Sequence, residues 1–170
     1  QPRFLHLTKG QYSMSDFPPP ENEGGLGPQI VPHSREAEEA VIGSVMINPE
    51  AYFDVAPILR PEDFYLLRHR WIWEAIIRLN ERRVAIDFLT VTEELDQSAH
   101  LAEIGGPAYL TALINNVPSA LHAADYARLV EETAIRRRLL EAANQIAKLA
   151  YQENVTIEAV MDDSEKAIFG

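Results

Sequence analysis

The side chains from which a metal site or an acid–base pair would have to be built are five histidines and twenty-six carboxylates, in a 170-residue sequence with no cysteine. None of His6, His33, His69, His100 and His122 has a second histidine four residues away on a helix, and neither His-Glu-x-x-His nor Gly-x-Ser-x-Gly occurs. Without cysteine there is no thiolate zinc site, iron–sulfur cluster, disulfide or cysteine nucleophile. A phosphate loop needs glycines that let bare backbone amides approach the phosphates, followed by Lys-Ser/Thr, and no glycine here precedes a lysine. The adjacent carboxylates Glu38-Glu39, Glu93-Glu94 and Asp162-Asp163 diverge by about 100° on a helix and read as solvated surface rather than as shared sites. Metal, triad and nucleotide-hydrolysing chemistries are therefore not expected within this chain.

Two clusters invite a binding role. Arg136-Arg137-Arg138 is the one basic triplet, but on a helix its members fan through about 200°, and Glu132 and Glu141 stand at i, i+4 to pair with Arg136 and Arg137. His69 and Trp73, one turn apart, read as a histidine satisfied by a local hydrogen bond beside a core tryptophan. The formal charge of -11 is the wrong sign for a surface that collects phosphates. Residues 33–120 alone hold fourteen acids against seven arginines, so the acidity is spread along the chain. The alternative of a direct single-stranded nucleic-acid-binding module would rest on Arg78, Arg82, Arg83 and the triplet. No stretch approaches the roughly 20 apolar residues that cross a bilayer, which gives the expectation of a cytoplasmic protein with no membrane partner.

The elements that must position any site read as all-α: a compact multi-helix head over 33–118, then a long-helix hairpin over 119–170 of the same domain. Residues 1–32, with Pro18-Pro19-Pro20 and Gly24, Gly25, Gly27, Pro28, read as a flexible arm, extended or disordered, that adds little to the core. Met14 has the look of a start, with residues 1–13 as added sequence, and Phe4, Leu5 and Leu7 as the apolar part of a docking peptide if they bind anything. Ser34 caps a first helix with Glu36 in its first turn and Ala37, Val41 and Val45 inward. Asn48-Pro49 ends it, and a short helix with Tyr52, Phe53, Ala56 and Leu59 on one face runs to Arg60-Pro61. Residues 66–82 place Leu67, Trp71, Ala75 and Leu79 on an inward stripe beside Ile72 and Ile76. Val84, Ile86 and Phe88 alternate briefly, but the capping-box spacing Thr90 to Glu93 predicts a helix over 90–96. Gly105-Gly106-Pro107 turns into a helix through Leu110, Leu113 and Ile114 that Asn115-Asn116 closes.

From Ser119 to Gln152 there is neither Gly nor Pro, which predicts one long helix. Ile135, Leu139, Ala142, Ile146 and Leu149 recur at alternating spacings of four and three beside Leu140, Ala143, Ala147 and Ala150, wide enough to serve two neighbours. Thr156 caps a final helix whose Ile157, Val160, Met161, Ser164, Ala167 and Ile168 fold back as a hairpin and leave one face for another subunit. Candidate self-association residues are Ile135, Leu139, Ala142, Leu149, Ile157, Val160, Met161 and Ile168.

Taken in order, Pro32-His33-Ser34-Arg35-Glu36-Ala37-Glu38-Glu39-Ala40-Val41-Ile42-Gly43, Glu62-Asp63-Phe64-Tyr65, His69, Ile86-Asp87, Ile104-Gly105-Gly106, Tyr109-Leu110 and Val117-Pro118-Ser119-Ala120 closely resemble the N-terminal domain of bacterial replicative DNA helicases, the DnaB family. Tyr126-Ala127, Val130-Glu131-Glu132, Arg137, Ile146-Ala147 and Phe169 continue the likeness, which spans about residues 31–170. The resemblance implies a noncatalytic helical head and hairpin, six copies of which form a trimer-of-dimers collar that docks the C-terminal domain of primase during DNA replication. It also implies that a separate motor domain, absent from this chain, binds ATP and magnesium and unwinds duplex DNA, with a helicase loader as a further partner and nucleic acid met only through the whole hexamer. The end at Phe169-Gly170 is what a chain cut ahead of the linker to that motor would show. Carried over position by position, the primase-facing candidates are Glu36, an exposed Tyr109, Leu140 and Ile146.

Overall fold

In the computed structural model, residues 30–169 are described, and residues 31–169 fall within one compact unit. The N-terminal arm, with Phe4, Leu5, Leu7 and the Met14 start, lies outside the described residues but for its last three. The elements run α1 (Arg35–Ile47), a 3-10 turn (Pro49–Ala51), α2 (Tyr52–Val55), a second 3-10 turn (Pro61–Asp63), α3 (Leu67–Glu81), α4 (Phe88–Gln97), α5 (Leu101–Ile104), α6 (Gly106–Asn115), a third 3-10 turn (Ala120–His122), α7 (Ala123–Ala150) and α8 (Ile157–Phe169). No strand occurs among the described residues, as the helical periodicity predicts.

Helix α1 is the axis of the head. Ser34 caps it, its hydroxyl accepting from Ala37 N–H at 3.3 Å, and it packs on α3, α6 and α7. Val41, Ile42 and Val45 are wholly buried because α1 has neighbours on several sides, so its apolar band is wider than the single stripe of a surface helix. At Gly43 there is no room for a side chain: a Cβ there would collide with Val117 Cγ2 and the Leu113 carbonyl oxygen. The glycine lets α6 approach the backbone of α1 directly. The first half of α7 completes the head, with Ala123, Ala127 and Val130 inside the main core. The second half packs against α8 as an antiparallel hairpin.

Several local expectations shift. Phe53 is 61% exposed while Val55 is fully buried, because the chain from Pro49 to Ala51 turns as a tight 3-10 helix and rotates the faces of α2. On α3 the inward face is also rotated: Leu67 is exposed and Trp71 half-buried, stacked on His100 at 4.4 Å, whereas His69, Ile72, Trp73, Ala75, Ile76 and Leu79 are buried. Helix α4 begins at Phe88, two residues earlier than Thr90, since Asp87 is the cap. Its carboxylate accepts from Thr90 N–H at 2.9 Å, and Thr90 Oγ1 accepts from Asp87 N–H at 3.0 Å. The short helix α5 has no counterpart in the sequence reading. The long helix starts at Ala123 rather than Ser119, because extended Ser119 feeds a 3-10 turn first.

The carboxylate pairs are not all surface. Glu38 and Glu94 are buried, each one facing inward while Glu39 or Glu93 lies further out. The pairing of Arg136 with Glu132 forms at 2.8 Å. That of Arg137 with Glu141 does not: Arg137 donates to the carbonyls of Pro32 at 2.9 Å and Asp63 at 2.5 Å, and Arg138 binds the Asp63 carboxylate at 2.6 Å. Half-buried Arg137 and exposed Arg138 fasten α7 to the entry of α1 and to the Pro61–Asp63 turn.

Candidate partner-docking site

Tyr109 sits on the first turns of α6, where Gly105 (φ 108°) and Gly106 (φ 72°) take left-handed conformations that let α5 run into α6. Its ring is half-buried rather than exposed. A side chain at Gly105 would meet Tyr109 Cβ at 3.3 Å, and the Arg68 guanidinium lies 4.2 Å from the ring centroid in cation–π geometry. The phenolic oxygen is 2.6 Å from His69 Nε2 and 3.4 Å from Glu39 Oε1. Loss of water around the phenol is the largest influence on it, and pushes its pKa up to about 12.

Behind Tyr109 the polar chain continues into the core. His69 is fully buried, and its Nδ1 lies 2.6 Å from Glu38 Oε2. Glu38 also accepts from Tyr65 N–H at 2.5 Å and Leu66 N–H at 3.3 Å, satisfying amides at the entry to α3 that no helical carbonyl reaches. His69 is thus satisfied, as the sequence suggested, but by α1 and α6 rather than locally. Each link joins a different helix, so the chain Glu38, His69, Tyr109 fixes α1, α3 and α6 against one another.

The other candidate residues divide between head and hairpin. Glu36 is exposed in the first turn of α1, and neighbouring Arg35 pairs with Glu39 at 2.6 Å. Leu140 is exposed and Ile146 half-buried on the hairpin part of α7. No hydrogen bond among the described residues ties Leu140 or Ile146 to Glu36 or Tyr109. Of the self-association candidates, Ala142 is buried, Leu149 and Val160 are half-buried, and Ile135, Leu139, Ile157, Met161 and Ile168 are exposed. Ile135, Leu139, Ala142, Ala167 and Ile168 line a shallow groove of about 310 Å³ between α7 and α8.

Five of the six arginines that a nucleic-acid-binding face would use are engaged. Arg78 and Arg82 both bind buried Glu94, Arg136 binds Glu132, Arg138 binds Asp63, and Arg137 caps two carbonyls. No group of three metal-ligating side chains and no helix long and apolar enough to cross a membrane occurs among the described residues.

The sequence reading missed Glu38, Asp63 and the bonds of Arg137 and Arg138 to the Pro61–Asp63 turn. A signal for Glu38 was present: it stands three residues before Val41 and four before Ile42, on the side of α1 that carries the core. Its partners, 27 to 31 residues away, are set by tertiary packing.

A model of the family described as DnaB-like helicase N terminal domain matches residues 30–132. The chain is 41% identical over 140 residues to the replicative DNA helicase DnaB of Geobacillus stearothermophilus, covering 82% of this chain and 31% of that protein. It is 38% identical over 143 residues to the replicative DNA helicase DnaC of Bacillus subtilis, covering 84% of this chain and 32% of the relative. It therefore spans about a third of the length of these two relatives. Among solved structures, the N-terminal domain of DnaB helicase from Mycobacterium tuberculosis superposes with a TM-score of 0.80 at 37% identity, over 83% of this chain and all of that one. A DnaB-like replicative helicase, whose structure was described with its interactions with primase, gives a TM-score of 0.68 at 26% identity, over 79% of this chain and 31% of the other.

Proposed function

This chain belongs to the family of DnaB-like helicase N-terminal domains, and on that premise we propose that it is the noncatalytic collar and docking domain of a replicative helicase. The observation that carries this reading is the hairpin. Its two helices leave Ile135, Leu139, Leu140, Ile157, Met161, Ile168 and Phe169 exposed, while the head closes its core around Glu38 and His69. Such an apolar face on a charged chain fits association with a second copy, and six copies as a trimer of dimers form the collar. A stable interface of this kind buries about 1,200 Å² or more. The C-terminal domain of primase docks on Glu36, Tyr109, Leu140 and Ile146, in keeping with the primase interactions described for the helicase of similar fold. In the whole protein a motor domain hydrolyses ATP with magnesium to unwind duplex DNA at a cytoplasmic replication fork, helped by a loader. This chain has no phosphate loop with which to hold the nucleotide.

Light scattering of the chain, alone and with the primase C-terminal domain, tests the proposal. The expected result is a dimer or larger species that gains mass with primase. Leu139→Asp, at a 57% exposed position, should break the self-association while leaving the circular dichroism spectrum unchanged. A strict monomer with no gain in mass refutes the reading for this chain, and a Leu139→Asp oligomer of unchanged mass refutes the hairpin as the interface.

A further inference from the structure

The docking reading leaves open what holds Tyr109 in place, and the hydrogen-bond geometry answers it. Both Glu38 oxygens receive a backbone N–H, from Tyr65 and Leu66. Each Glu38 oxygen is thus already used as a hydrogen-bond acceptor. The short 2.6 Å contact to His69 Nδ1 therefore places a proton on Nδ1. On the other side, the phenol stands 2.6 Å from Nε2 but 3.4 Å from Glu39. The longer distance exceeds the usual range of about 2.5–3.0 Å for an O–H···O bond, so the histidine is the nearer partner of the phenol. A neutral imidazole with its proton on Nδ1 accepts the phenol's bond at Nε2. With the His69 proton on Nδ1, donation would run from Tyr109 to His69 to Glu38. The two rings lie nearly parallel, at 10°, with centroids 6.0 Å apart.

We propose that His69 is the positioning residue of the partner-docking site: as the Nδ1–H tautomer it accepts the Tyr109 hydroxyl proton, commits the phenol inward, and so presents the ring edge and Arg68 to the partner in one fixed arrangement. The inference deepens the docking reading and rests on it for the partner, but the tautomer stands on the geometry of this chain alone. Its consequence is specific. The hydroxyl of Tyr109 is not a hydrogen-bond donor to primase, and its removal weakens docking only by loosening the ring. The same loosening follows from removing His69, and it follows once.

The first experiment needs no variant in its main arm: ¹⁵N spectroscopy of the histidine side chains in the 170-residue chain, with His69 assigned by substitution of the other histidines. The expected result is a neutral ring with its one-bond N–H coupling at Nδ1. Tyr109→Phe should then move the Nε2 resonance towards that of a free acceptor and leave Nδ1 in place. A proton on Nε2, or on both nitrogens, overturns the proposal, because Tyr109 would then be the acceptor and free to donate outward. The second experiment is a double-mutant cycle in binding to the primase C-terminal domain. His69→Gln and Tyr109→Phe should each weaken binding by about two- to twelve-fold, the range for re-freezing one side chain, and the double variant no further. Losses that multiply overturn positioning through Tyr109. Thermal melts of each variant identify any loss that comes from unfolding. If the unaltered chain does not bind primase, the docking reading fails, and the tautomer decides whether His69 holds Tyr109.

Discussion

Gly43→Ala should destabilise the domain, although alanine is the better helix former. In the interior of α1, alanine gains about 1 kcal/mol over glycine from propensity alone. The added methyl, however, falls on Val117 Cγ2 and on the Leu113 carbonyl oxygen, with the Leu113 carbonyl carbon at 3.1 Å. A valine methyl can rotate aside, but a backbone carbonyl inside α6 cannot without moving the helix. Overpacking of this kind costs about 1–3 kcal/mol, and the backbone neighbour puts this site at the upper end. The balance is a loss of about 2 kcal/mol, or about 4–8 °C in melting temperature for a chain of this size. Urea titration followed by circular dichroism at 222 nm measures it directly. Val117→Ala in the same background should restore only part of the loss, since it relieves the methyl and not the carbonyl. Because α6 carries Tyr109 and α1 carries Glu38 and Glu39, pushing the two apart should also weaken the Tyr109 to His69 bond, visible at the His69 Nε2 resonance. A Gly43→Ala variant as stable as the parent, or more so, would refute the close approach of α1 and α6.

Three further outcomes test the polar side of the head and its joint to the hairpin. Burial raises the Tyr109 phenol from 10 to about 12, so above pH 10 the unfolded chain loses this proton first and stability falls as pH rises towards 12. Relative to Tyr109→Phe, the parent should lose about 1 kcal/mol across that window once solvent screening of a half-buried group is counted, measurable by urea titration at pH 9 and pH 12. For Glu94, burial raises the carboxyl, but hydrogen bonds and charge from Arg78 and Arg82 outweigh it and hold the group below its usual 4.5. Its contribution is present above that value and is lost as pH falls through the folded one, so Glu94→Gln should cost about 1.5–3 kcal/mol at pH 7 and flatten the acid limb of the stability curve. Arg137→Ala removes charge-assisted bonds to the Pro32 and Asp63 carbonyls. Amide hydrogen exchange should quicken in residues 130–140 while the α3 core keeps its protection; a uniform change would refute a local joint.

The sequence carried the helices because their signals are local. Ser34, Asn48-Pro49, Arg60-Pro61 and Gly105-Gly106-Pro107 mark ends by backbone chemistry that tertiary packing leaves intact. Where a 3-10 turn intervened, as at Pro49–Ala51 and Ala120–His122, the phase of the next helix slipped, which is how Phe53 came to be placed inward and Ser119 inside α7. The site was legible only in part. Tyr109 was named from resemblance, but a residue's exposure depends on which helices meet there, and the short bond that holds it comes from position 69. The same reason explains Arg137: Glu141 at i+4 was a plausible partner in an isolated helix, whereas two carbonyls from distant turns win because they are pre-positioned and partly buried, and guanidinium bonds to fixed oxygens lose little entropy.

The division of labour between head and hairpin follows from where polar groups are satisfied. In the head, Glu38, His69, Asp63 and Glu94 are buried and each has a bonded partner. Leaving any of them unpaired is costly, so alternative packings of these helices are disfavoured. In the hairpin the opposite holds. Helix α8 buries no residue fully, and no side-chain hydrogen bond or ion pair among the described residues ties it to α7. Such an interface tolerates shifts of register that a polar network does not, and gains most of its remaining stabilisation by covering Leu139, Met161 and Ile168 with another surface. In the proposed collar, a head joined by Arg137 and Arg138 to a hairpin that a neighbouring copy completes would give subunits that share one fixed docking element while their mutual packing adjusts.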